Sequence, residues 1–202
     1  IKEDYVVFMG QDKSITIETG GHLILEENAD ILPCDTYWNK IDVYGRLTTE
    51  GDDNQLISLR NGIIAHPNSY LELNEVTISG TNPNVPSTGL FVNGSINTTS
   101  LYNLRINNYF YGIQNLNNQS YHNFNSGQIT GCRIGIYINK APSRINNYII
   151  SVNEEAINAI SSPGMLIENN KLNANPSGDT KGLNMWFCDA SVIRNNQIGA
   201  IV

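Results

Sequence analysis

The sequence predicts an all-β fold, a right-handed parallel β-helix whose coils take roughly 20 to 30 residues each. Three observations carry this. First, Asn-Asn pairs followed by an aliphatic residue recur as Ile145-Asn146-Asn147-Tyr148-Ile149, Glu168-Asn169-Asn170-Lys171-Leu172 and Arg194-Asn195-Asn196-Gln197-Ile198. Ser126-Gly127-Gln128-Ile129, Asn103-Leu104-Arg105-Ile106 and the looser Leu73-Asn74-Glu75-Val76 occupy the same place. Second, a small residue followed by an aliphatic one keeps the same step, as Gly89-Leu90, Gly112-Ile113, Gly135-Ile136, Ala156-Ile157 and Gly182-Leu183. Third, alternation such as Ile134-Gly135-Ile136-Tyr137-Ile138 and Leu71-Glu72-Leu73 lets every second side chain point inward, as a short strand requires.

Stacking is the only way such units close a core, because one coil cannot bury its own apolar face. The aliphatic anchors Val76, Ile106, Ile129, Ile149, Leu172 and Ile198 are therefore expected to point into one continuous interior. Parallel strands need crossovers of a fixed hand, which makes the coil right-handed. Length variation falls in turn-rich inserts, residues 80–87 with two prolines and residues 173–181 with Pro176 and Gly178, read as loops protruding from the stack. Asn146, Asn169 and Asn195, with Asn103 and Ser126, are expected to stack as an asparagine ladder at one turn, since Asn tolerates the left-handed backbone there. Trp38, the bulkiest side chain of the early coils, is expected to fill the core. No composition shift divides the chain, so residues 1–202 read as a single domain. The apolar ending at residues 197–202, without a charged cap, leads us to expect further coils or a capping domain of a longer protein after Val202.

In the first quarter, Ile15-Thr16-Ile17 and Gly21-His22-Leu23 precede Cys34-Asp35-Thr36-Tyr37-Trp38-Asn39-Lys40-Ile41-Asp42-Val43-Tyr44-Gly45. Residues 15–64 resemble the β-helix segments of large secreted and surface proteins of the Bacteroidota. Those carry a Gly-x-Leu element and then a Cys…Trp-x-Gly-Ile-x-Val-x-Gly motif, with Lys40 here in place of the usual Gly. The resemblance implies a β-helix in a secreted or cell-surface bacterial protein similar to type IX secretion cargo. The sorting domain that marks such cargo is not among these residues. The resemblance implies fold and export more than activity.

With 12 Lys+Arg against 19 Asp+Glu the formal charge is -7, so phosphate backbones and anionic lipid are repelled and nucleic acid is not an expected partner. Apolar runs such as residues 5–9 fall far short of the roughly 20 residues of a membrane span. Cys34, Cys132 and Cys188 form an odd set without CxxC spacing and read as small hydrophobes, not as a metal or redox motif.

Polysaccharide-cleaving β-helix enzymes need paired carboxyls, or a base beside a cation. Their Asn-Thr-Asp, Asp-Asp, Gly-His-Gly and Arg-Ile-Lys elements are answered here only by Asn97-Thr98-Thr99, a lone Gly21-His22 and three Arg-Ile pairs without Lys. Asp52-Asp53, with Glu50, is the one compact acidic cluster that resembles a catalytic or calcium pair, and its Gly- and Asn-rich setting reads as an exposed turn. The outward column before the anchors, Glu75, Arg105, Gln128, Tyr148, Lys171 and Gln197, contains a single carboxylate. His22, His66 and His122 are scattered. No catalytic residue, metal ligand or cofactor is assigned. Tyr102, Tyr109, Tyr111, Tyr121 and Tyr137 lie in neighbouring coils and are the candidate ligand-binding residues, a strip on which sugar rings could stack. The reading is a structural or adhesive module with glycans or host and cell-surface proteins as partners. The alternative is a carbohydrate-active enzyme or binding module.

Overall fold

A computed structural model describes residues 1–51, 53–116, 121–175 and 180–200, without the side chains of 98–100 and 200. The chain is an all-β solenoid of about eight turns, without helices among the described residues. Val or Ile opens many of its short strands, and each strand pairs in parallel with its equivalents one coil away. Eight strands stack as one sheet: Ile15–Ile17, Ile41–Val43, Ile63–Ala65, Thr88–Asn93, Tyr111–Leu116, Ile134–Asn139, Glu155–Ile160 and Lys181–Trp186. We call this the first sheet. The remaining 14 strands form a second sheet that folds around a corner, so that Asn97–Asn107, His122–Thr130 and Ser143–Val152 each run along both of its halves.

That corner is built by backbone conformation. Asp4, Asn28, Asp53, Glu75, Asn103, Ser126, Asn147, Asn169 and Asn195 all have φ between 51° and 64°, and the strand registers place them one above another in nine successive positions. Asn, Asp and Ser dominate because a short polar side chain lowers the cost of the left-handed region. The next residue points inward: Ala29, Asn54, Val76, Leu104, Gly127, Tyr148, Asn170 and Asn196.

The ladder therefore exists in two rows. On the outside, Asn146 Nδ2 donates to Asn125 Oδ1 at 2.9 Å and Asn169 Nδ2 donates to Asn146 Oδ1 at 3.0 Å. On the inside, the Asn170 side chain accepts from the Tyr148 N–H at 2.9 Å, donates to the Ile145 carbonyl at 3.0 Å and donates to Asn196 Oδ1 at 2.9 Å. Asn196 Nδ2 donates to the Ile167 carbonyl, and far down the stack Asn54 Oδ1 accepts from the Ala29 N–H. Asn169, Asn195, Asn103 and Ser126 share a level as expected. Asn146 does not, since Asn147 is their equivalent.

Ile106, Ile129 and Leu172 point into the core, but two anchors are out of register. The column runs Ile78, Ile106, Ile129, Ile150, Leu172 and Ile198, so Ile78 replaces Val76 and Ile150 replaces Ile149, which is 47% exposed. Val76 is buried two residues earlier, at the corner. The outward column accordingly contains Thr77 and Ile149 where Glu75 and Tyr148 were expected; Tyr148 is fully buried. The small-aliphatic register holds throughout, as Leu90, Ile113, Ile136, Ile157 and Leu183 stand in one column. A Cβ on Gly112 would meet Ile129 Cγ2 at 2.6 Å, and one on Gly135 would meet Ile150 Cγ2 at 2.5 Å. The two repeating signals of the sequence thus touch each other across the core of each coil.

Trp38 is fully buried and donates Nε1–H to the Ile57 carbonyl at 2.8 Å. Residues 80–87 form no strand, whereas Lys171–Ala174 and Lys181 belong to strands; residues 176–179 lie outside the described residues. The three cysteines are unpaired; Cys132 is buried, but Cys34 is exposed and not the buried hydrophobe expected. At the last coil the inward Ile193 and Ile198 are 48% and 53% exposed, against full burial of Ile167 and Leu172 one coil earlier.

Candidate functional site on the first sheet

Strand alternation turns one row of first-sheet side chains outward: Thr16, Asp42, Ile64, Phe91, Gln114, Tyr137, Asn158 and Asn184. A parallel row carries Thr88, Tyr111, Ile134, Glu155 and Lys181. Between them and the 80–87 insert lies a groove of about 350 Å³, lined by Lys40, Asn61, Ser87, Phe91, Tyr111 and Gln114 among others. A second hollow of about 250 Å³ lies across Ser87, against Tyr37 and Arg60. The insert thus supplies one wall of this groove, through Pro86 and Ser87.

The groove's polar groups are held in place. Lys40 Nζ pairs with Asp42 Oδ2 at 2.9 Å, and His66 Nε2 meets Asp42 Oδ1 at 3.0 Å while its ring stacks on Tyr44 at 4.0 Å. Burial alone would raise the Asp42 carboxyl, but its hydrogen bonds with Lys40 and His66 outweigh that and hold it below its ordinary value. Asn61 donates to Asn39 at 2.7 Å, and Thr88 donates to Gln114 Oε1 at 3.2 Å. Further along, Glu155 accepts from Asn158 and Asn184 and lies 3.7 Å from Lys181.

The candidate tyrosines divide. Tyr111 and Tyr137 stand together, centroids 5.4 Å apart and rings tilted by 46°, with Phe110 against Tyr111 at 4.7 Å. Burial raises the Tyr111 hydroxyl above its ordinary value, and neighbouring Tyr137 adds to this. Tyr102 is exposed on the second sheet, and Tyr121 lies exposed just before the strand His122–Thr130. Tyr109 is a correction: it is fully buried in the core, its hydroxyl pushed far up by burial, and so it offers no surface to a ligand. A five-residue strip is not assembled. Reading the tyrosines without register missed Phe91, Gln114, Lys40 and Asn61. A signal existed for the first two, since Phe91, Gln114 and Tyr137 each follow the small-aliphatic pair by one residue.

The acidic turn is also placed. Asp53 is exposed and pairs with Arg105 at 2.8 Å, while Asp52 lies outside the described residues. Glu154 pairs with Arg133, and Glu168 lies between Arg144 and Arg194. Each of the two outward first-sheet rows holds one carboxylate, Asp42 in one and Glu155 in the other. Among the described residues no cluster of three or more metal-ligating side chains occurs, and no helix is long and apolar enough to cross a membrane.

No protein family, curated protein or solved structure matches this chain.

Proposed function

We propose that the chain is a non-catalytic, adhesive β-solenoid module of a secreted or cell-surface protein, a rigid rod whose first-sheet groove holds glycan. The observation that carries this is the groove itself, where Phe91 and Tyr111 lie beside the amides of Asn61 and Gln114 and the ammonium of Lys40. Aromatic faces pack against the apolar side of a sugar ring, and fixed amides answer its hydroxyls. The carboxylates favour binding over hydrolysis, because those described on this face are engaged by Lys40, His66, Lys181 or amides instead of standing as a free pair.

The test is a glycan array followed by NMR titration with the best hit. Tyr111→Ala and Gln114→Ala are expected to weaken binding by at least about tenfold, roughly the loss of one good contact. Tyr102→Ala, on the other sheet, is expected to leave it unchanged. Binding that survives Tyr111→Ala and Gln114→Ala together would overturn the placement of the site.

A further inference from the structure

Apart from the inward asparagines of the left-handed corner, a second group of buried polar side chains lies at the corner between the first and second sheets. Asn115 takes the inward position that Val92, Ile138 and Ala159 occupy in adjacent coils, and it is fully buried. Its Nδ2 donates to Ser143 Oγ at 3.0 Å, and Ser143 passes the bond to the Ala141 carbonyl. Its Oδ1 has no partner. Directly in register with Ser143 stands His122, the first residue of its strand, 1% exposed and with neither ring nitrogen hydrogen-bonded. Three orphaned buried polar atoms thus gather around one serine, where a native interior tolerates few.

Among the described residues no charged group faces the imidazole from the elements packed on it. Asn115 reaches this corner through Ser143, which stands in register with His122, and Phe124 of its own strand lies 6.5 Å away. The strand Ser143–Val152 contributes Ser143 and turns Arg144 outward to Glu168, beside Tyr121. The strand Asn97–Asn107 turns Arg105 outward to Asp53. Burial without compensation pushes the His122 imidazole down to about 4.

We propose that His122, Asn115 and Ser143 form an acid-released latch, which holds the corner between the first and second sheets closed while the imidazole is neutral. An imidazolium has two N–H donors, and neither ring nitrogen has a partner among the described residues. Both donors and the charge are left uncompensated in a buried, uncharged corner, a costly state that outward rotation relieves. Because His122 begins its strand, release frays one strand end and does not break a coil. A surface module held in place by its remaining coils would then loosen this one corner in mild acid.

Hydrogen exchange resolved by mass spectrometry, corrected for intrinsic rates, tests this between about pH 7 and pH 4.5. Amides around residues 121–125 and 143–145 are expected to lose protection by about tenfold or more in acid, while those of Ile63–Ala65 and Leu71–Asn74 keep theirs. In His122→Phe, which fills the site with an apolar ring, and in His122→Leu, the acid effect is expected to vanish. Unchanged protection at the corner, loss shared evenly by all coils, or the same acid loss in a folded His122 variant would each overturn the latch.

Discussion

Replacing Asn170 is expected to damage the solenoid far more than replacing its neighbour Asn169, although both belong to the same Asn-Asn pair. Asn170 is 2% exposed and its amide serves the Tyr148 N–H, the Ile145 carbonyl and Asn196 Oδ1. Asn170→Ala orphans the first two inside the core, and each abandoned buried group costs about 1–3 kcal/mol. The sum, about 2–6 kcal/mol, is a large fraction of the roughly 5–15 kcal/mol that holds a domain together. For a chain of this length, at about 2–4 °C per kcal/mol, it corresponds to a melting point lower by about 4–24 °C. Asn169 is exposed, has φ 57° and donates a single bond to Asn146. Asn169→Gly keeps the left-handed backbone available and is expected to cost no more than about 1 kcal/mol. Urea unfolding of both variants with a shared slope decides the matter. Equal midpoints for the two variants, or Asn170→Ala within about 0.5 kcal/mol of the parent, would refute the two-row account of the ladder.

Other expectations follow from the same registers. Ile150→Asp, which places a carboxylate inside a closed coil, is expected to abolish folding, whereas Ile149→Asp on the outer surface is expected to stay within about 1 kcal/mol of the parent by thermal melting. Gly127→Ala is expected to cost about 1–3 kcal/mol by overpacking, since a Cβ there meets the Leu104 carbonyl oxygen at 2.5 Å and Tyr148 Cε1 at 2.7 Å; a neutral result would show that both the backbone beneath it and Tyr148 can give way. The guanidiniums of Arg194 and Arg144 hold the Glu168 carboxyl below its ordinary value. Its contribution to stability is therefore present above the ordinary carboxylate range and is lost as the pH falls through the lowered folded value. Glu168→Gln is expected to flatten that acid limb in denaturation curves taken from about pH 7 to pH 3, and an unchanged limb would count against the pairing.

Much of the fold was legible because two signals kept step. Gly112-Ile113 and its counterparts gave the first-sheet register without error, since a small residue there is a steric demand of the facing isoleucine. The Asn-Asn pairs were less faithful guides. Asn fits both the left-handed position and the outer position before it, so Asn146-Asn147 lies one step earlier than Asn169-Asn170 and carried Ile149 into the wrong place. Glu75 broke the pattern differently, by taking a left-handed position usually given to Asn, Asp or Ser. The groove was harder to find. Phe91 and Gln114 were within reach of the register, but Lys40 and Asn61 come from other coils, and only the folded insert shows that they share a wall. Tyr109 misled because residue type says nothing about which way a side chain turns at a corner.

The left-handed corner has a consequence for how such a rod changes over time. From Glu75 onward each left-handed residue of this corner follows an inward apolar residue at the same distance: Leu73, Leu101, Phe124, Ile145, Ile167 and Ile193. That side behaves as a hinge pin of fixed gauge, because a residue added between the inward apolar position and the left-handed one would turn the wrong side chain inward. Growth is shunted to the opposite corner, where residues 80–87 already intervene between Ile78 and Leu90. Foreign peptides grafted there should be displayed without disturbing the stack, and whole coils should be gained or lost as units, leaving a rod whose length and whose cargo can evolve separately.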